Sequence, residues 1–222
     1  MLKREKLADR KLPDYTKGEE IFNMVSHIVG GAVGITALTL CVIFAALHGN
    51  VYGVVGSAIY GAAMIILYSC SSIYHGLKPH LTAKKVFQVI DHCSIFILIA
   101  GTYTPICLST LRAHSTWMGW TLFGIIWGAA AIGITFNSID IKYYRKFSAI
   151  CYLAMGWCIV FAWKPVAAAG GTALLIWGGI SYTIGALFYY FLKKKRYMHS
   201  VFHLFVVAGS ILHMLYILLY IV

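Results

Sequence analysis

The chain has 222 residues, 60% of them hydrophobic and only 11% charged, and its mean hydropathy is +0.79. A water-soluble domain carries about 25% charged residues, so a soluble fold is excluded and an integral membrane protein is expected. The net charge of +11 raises nucleic acid as a partner, but the placement of the basic residues argues against it.

In lipid every backbone N–H and C=O must be paired within its own segment, so apolar runs of about 20 residues cross as helices. Seven are predicted, at about 23–46, 51–74, 87–109, 115–136, 146–163, 171–192 and 199–221. The fold class is therefore all-α, a seven-transmembrane-helix bundle over residues 18–222. A charged arm precedes it at residues 1–17 and is expected to be mobile or to lie on the surface. The first run is too long for a signal-peptide core and is expected to stay in the mature chain. Gly30-x3-Gly34 in the first helix and Gly124-x3-Gly128 in the fourth have the spacing of small-residue packing seams. Pro105 is expected to kink the third helix near its far end. Lys164 and Pro165 are expected to end the fifth early. The six cysteines all fall within predicted spans, contain no Cys-x-x-Cys pair and are expected to pack as small apolar residues rather than form disulfides.

Sixteen of the 18 basic residues fall in the arm or in the second-to-third, fourth-to-fifth and sixth-to-seventh linkers, leaving only Arg112 and Lys164 on the other side. By the positive-inside rule the amino terminus is cytoplasmic and the carboxyl terminus extracytoplasmic. The basic residues are then topology signals and contacts for anionic lipid head groups, with no nucleic acid as partner.

Ionisable residues inside a membrane are costly and call for a reason. Glu20, Asn23 and His27 share one face at the start of the first helix. Ser71 and His75 are four apart at the end of the second. Asp91 lies about a turn into the third, and His199 and His203 are four apart at the start of the seventh. With the predicted topology all these positions fall in one leaflet. Three imidazoles with an open fourth position suit a zinc ion. His75, His199 and His203 are the candidate metal ligands, with Asp91 to accept a proton from bound water and Ser71 to orient a ligand or donate to an oxyanion. The alternatives are an interfacial His-x3-His pair, and an Asp91 that pairs with Lys84 or Lys85. His27 is expected to support the site or pack beside it rather than to ligate. His92 is expected to face away from Asp91, and His213 to lie in the opposite leaflet.

At EEIFNMVSH, at SSIYH followed by DHCSIFILIAGTYTP, at YLAMGW and at HSVFH, the chain resembles the hemolysin III family, the bacterial branch of the progestin and adipoQ receptor family. That family lies within a wider set of membrane hydrolases that includes alkaline ceramidases. The resemblance implies a seven-helix bundle with a cytoplasmic amino terminus, and zinc on His75, His199 and His203 beside Ser71 and Asp91. It implies a multi-pass cell-membrane protein that hydrolyses a ceramide-like lipid amide with zinc-activated water, its partners being membrane lipids. The alternative is a non-hydrolytic membrane-homeostasis or signalling protein with a structural zinc. A pore is disfavoured because no polar stripe crosses the bilayer. A retinal protein is excluded because residues 199–222 contain no lysine.

Overall fold

A computed structural model describes residues 7–192 and 195–222. Of the basic residues that set the predicted topology, Lys3, Arg4, Lys6, Lys193 and Lys194 lie outside them. Among the described residues there is no strand, and seven helical segments are long and apolar enough to cross a membrane. These are α1 (Lys17–Leu47), α2 (Val51–Gly76), α3 (Thr82–His114), α4 (Thr116–Asp140), α5 (Arg145–Ala169), α6 (Thr172–Leu192) and α7 (Met198–Tyr220).

Local chemistry sets the ends. The Thr16 hydroxyl accepts from the Glu19 N–H while the Glu19 carboxylate accepts from the Thr16 N–H, a reciprocal capping box that starts α1 six residues before the first apolar run. Gly49, at φ +68°, and Asn50, whose side chain accepts from Gly53 N–H at 2.7 Å, turn the chain between α1 and α2.

Two prolines sit inside spans. Pro105 has no N–H to offer the turn before it, and α3 continues past it through a π-helical turn at Ile106–Leu111. Pro165 does not end α5. The helix tightens into a 3-10 stretch at Cys158–Ala162 and resumes at Trp163, so Pro165 falls in a first turn, where its missing N–H leaves no bond broken. The fifth span therefore runs to Ala169 rather than to 163.

α3 is the axis of the bundle. Of its most apolar stretch 78% is buried, against 28% for α1, α4 and α5 and 22% for α6, which spend their outer faces on lipid. α1 packs on α2 and α7, α7 on α6, and α3 on α2 and α4.

Gly30 and Gly34 do form a packing seam: a Cβ on Gly30 would collide with the Tyr68 ring, and one on Gly34 would meet Met64 at 3.0 Å. Gly124 and Gly128 do not, since a Cβ on either would have no neighbour within 4 Å. The close approach on α4 is instead at Gly133, where a Cβ would collide with the Phe96 ring of α3, and at Gly119. The spacing of Gly124 and Gly128 suits a seam, but the face that bears them points outward. All six cysteines are free.

Gly133→Leu is therefore expected to destabilise the bundle by about 1–3 kcal/mol through overpacking against Phe96. Gly128→Leu should leave it unchanged. Thermal unfolding of the purified protein in detergent distinguishes the two.

Candidate metal centre

The starts of α1, α3 and α7 and the end of α2 meet at one end of the bundle, and their polar residues converge there. His199 Nε2 lies 3.3 Å from His75 Nε2 and 3.1 Å from His203 Nε2. The three ligand atoms all fall within 4.8 Å of one another, and all three residues are buried. The group could hold a metal ion. Corners of a tetrahedron with metal–nitrogen bonds of about 2.0–2.1 Å are roughly 3.3 Å apart, close to the two spacings observed.

The other ring nitrogens fix the tautomers. His75 Nδ1 donates to Glu20 Oε2 at 2.6 Å, and His203 Nδ1 to the Asn23 carbonyl at 3.3 Å. Both rings therefore turn an Nε2 lone pair toward the cluster. His199 Nδ1 has no partner among the described residues. A single Nε2–H on His199 could serve one facing lone pair and would leave the other unmatched, whereas a cation satisfies all three. The donor set fits a metal on that ground.

Glu20 is the residue whose role the sequence leaves open. Its second oxygen, Oε1, is 2.8 Å from Lys84 Nζ. Lys84 is itself 1% exposed and also donates to the carbonyls of Tyr74 and Leu77, both at 2.9 Å. Those carbonyls belong to the end of α2, where the helix has no N–H left to give. Lys84 thus caps α2 and anchors Glu20 rather than pairing with Asp91. A carboxylate on the far nitrogen of a ligating imidazole fixes its orientation and raises its basicity.

The rest of the EEIFNMVSH face serves the same cluster. Glu19 accepts from Tyr197 N–H at 2.7 Å and from Arg196 Nη1 at 3.1 Å. It thereby holds the left-handed Tyr197 (φ 60°) from which α7 starts, two residues before His199. Asn23 Oδ1 accepts from Ser200 Oγ at 2.7 Å. His27 stacks on His203 with centroids 3.7 Å apart, and neither of its nitrogens has a partner.

Ahead of α1, Tyr15 stacks on His199 at 5.0 Å and 12°, and burial pushes its phenol well above the usual range, so it stays neutral. Arg10 is also buried. The capping box could have flagged Tyr15, because it fixes the residue just before Thr16.

A cavity of about 430 Å³ opens beside the cluster. Its wall carries Ser71, Asp91, His199 and His203, and otherwise mostly apolar side chains. The Ser71 hydroxyl is buried without a partner among the described residues. The Asp91 carboxylate lies 3.6 Å from His92 Nδ1, so His92 faces the same cavity instead of turning away. Ile150 of α5 and Leu187 and Phe191 of α6 line the cavity and are also exposed on the outside. The opening is thus lateral, between α5 and α6. His213 lines the cavity too, with its Nε2 bonded to the Leu175 carbonyl at 3.1 Å, well away from the cluster.

The model of the Haemolysin-III related family matches residues 15–214. The chain belongs to the haemolysin III family. It is 40% identical over 206 residues to Hemolysin-3 of Bacillus cereus, covering 91% of this chain and 92% of that one. It is 39% identical over 199 residues to a Hemolysin-3 homolog of Bacillus subtilis (strain 168), covering 88% and 91%. A more distant likeness, 27% over 163 residues, is to the human Monocyte to macrophage differentiation factor, covering 70% of this chain and 66% of that one. The chain is thus a multi-pass membrane protein of the haemolysin III family, and the matched region runs from Tyr15 through every residue of the histidine layer.

Glu20→Gln keeps a hydrogen bond to His75 but removes the charge. It is expected to weaken metal affinity by about 10–100-fold. Competition against a chelator measures this, and unchanged affinity would mean that the Glu20 charge adds nothing to the basicity of His75.

Proposed function

We propose that the protein is a zinc-dependent hydrolase of the cell membrane that cleaves the amide bond of a ceramide-like lipid. The observation that carries this reading is the meeting of a three-histidine cluster with a lipid-accessible cavity whose wall also holds a carboxylate and an unpartnered hydroxyl. Three imidazoles with an open fourth position match the usual catalytic zinc geometry, a ligand type that zinc shares with copper, iron and nickel. The charge asymmetry supports a cytoplasmic amino terminus, which puts the histidine layer just beneath the inner surface of the membrane.

Bound to the three histidines, zinc would supply Lewis acidity and bring a water's pKa down to about 7. The residues of the chain do the rest. Asp91 takes the proton from the attacking water and delivers it to the departing nitrogen, so that the acyl carbon gains OH and the amine gains H. Ser71 has a hydroxyl free to donate to the oxygen on which charge develops. The apolar wall takes the acyl chain, and the opening between α5 and α6 lets it in from the bilayer without crossing water. The amide, rather than another linkage, is favoured by the resemblance to a family that lies within a wider set of membrane hydrolases including alkaline ceramidases.

The metal and the chemistry are tested separately. Wild-type protein is expected to bind about one zinc per chain, and His199→Ala and His203→Ala to lose it. Stoichiometric zinc in both variants would reject the ligand set. Zinc-loaded protein incubated with ceramides and phospholipids should release fatty acid. Asp91→Asn should keep its metal and lower that release by about 10²–10⁴-fold. If no lipid in the panel turns over while zinc is bound, the metal is structural and the non-hydrolytic reading takes its place.

A further inference from the structure

The proton transfer at Asp91 makes no use of two basic residues that line the same cavity, Arg145 and Lys146. They are the first two residues of α5 and stand at the histidine end of the bundle. Among the described residues neither has a carboxylate partner, and Asp91 is the only acid on the cavity wall. Asp140, the acid in the link before α5, accepts from the backbone N–H groups of Lys142 and Tyr143 at 3.0 Å.

The helix end they occupy has the same sign. The first turn of α5 contains no acidic residue, and Tyr144 gives it no side-chain cap. A helix N-terminus carries partial positive charge and favours anions, so placing Arg and Lys there adds to a charge that most helices offset. The cavity below this rim contains buried polar atoms that have no partner among the described residues, the Ser71 hydroxyl and both nitrogens of His27. An unpaired buried donor or acceptor costs about 1–3 kcal/mol. These atoms point to a polar group of a ligand deeper than the rim.

The length fits one hydrocarbon chain. His199 and His213 both line the cavity and lie fourteen positions apart on α7, about 21 Å at 1.5 Å per residue. That is more than half of a hydrocarbon core of about 30 Å.

We propose that the cavity selects membrane amphiphiles with an anionic head group, which Arg145 and Lys146 bind at the rim while the acyl chain runs down between α5 and α6 toward His213. The proposal deepens the hydrolase reading by narrowing its substrate to N-acyl lipids that carry an anionic head group, which an unmodified ceramide lacks, and it rests on that reading only for the chemistry after binding. Lys146 supplies a mobile point charge, and the Arg145 guanidinium a planar fork that matches the oxygens of a phosphate or carboxylate.

Binding tests it without requiring turnover. The probes are two fluorescent single-chain amphiphiles of equal chain length, one with a phosphate head and one with a phosphocholine head, titrated into metal-loaded protein in non-ionic detergent. Wild-type protein is expected to bind the phosphate-headed probe about tenfold more tightly, as charge-assisted hydrogen bonds allow. The double variant Arg145→Gln, Lys146→Gln should lose that preference while keeping its zinc and its affinity for the phosphocholine probe. Inorganic phosphate at the probe concentration should displace neither.

Equal binding of the two probes by wild-type protein, or an intact preference in the double variant, would overturn the proposal. So would displacement by inorganic phosphate alone, which would mean an anion site with no part for the chain. A clear preference without turnover of any lipid would sink the hydrolase reading and leave this one standing. Turnover without a preference would do the reverse.

Discussion

The carboxylate of Glu20 lies between His75 Nδ1 and Lys84 Nζ, at 2.6 and 2.8 Å, inside a membrane bundle. Three helices meet in that one bridge, α1 through Glu20, α2 through His75 and α3 through Lys84. Burying such charges is costly unless each is fully paired. Here the pairing is complete for Lys84, which also satisfies the last carbonyls of α2. The bridge sets which nitrogen of His75 is protonated, and so which one faces His199 and His203. Removing either charged partner would leave the other buried without its counter-charge.

The site is built by one face of α1. Glu19 holds the turn from which α7 starts, Glu20 orients His75, Asn23 binds Ser200 and the His203 ring, and His27 stacks on that ring. None of these contacts places Glu20, Asn23 or His27 among the candidate ligands. Their spacing of three and four residues keeps them on the side of α1 that meets α2 and α7. Tyr15 closes the same layer from outside the helix by stacking on His199. The cluster is thus shielded on the side of the α1 amino terminus and open to the cavity on the other, where Ser71 and Asp91 stand.

Much of this is legible in the residues because lipid punishes polar groups. Seven apolar runs and the depth of Ser71, His75, Asp91, His199 and His203 within them suffice to bring those five side chains to one end. Lys84 is not legible in the same way. Among the charges of the chain it looks like a linker residue that marks topology, and only the fold shows it buried under the end of α2. The outward face of Gly124 and Gly128 is hidden for a related reason, since α4 is apolar all round and its pattern does not say which side meets α3. Pro165 misleads because a proline ends a helix only when it falls in its interior, and the 3-10 stretch before Trp163 moves it into a first turn. An ideal 100° step turns His92 away from Asp91, but its ring bends back to the Gln88 carbonyl at 2.9 Å and reaches the cavity that Asp91 lines.

The three imidazoles of His75, His199 and His203 can share one cation. X-ray absorption at the zinc edge of metal-loaded protein examines that sphere directly. Three imidazole nitrogens and one oxygen donor at about 2.0–2.1 Å are expected, with the outer-shell scattering of the rings. A sphere of sulfur ligands near about 2.3 Å, or of oxygen donors without imidazole scattering, would contradict it.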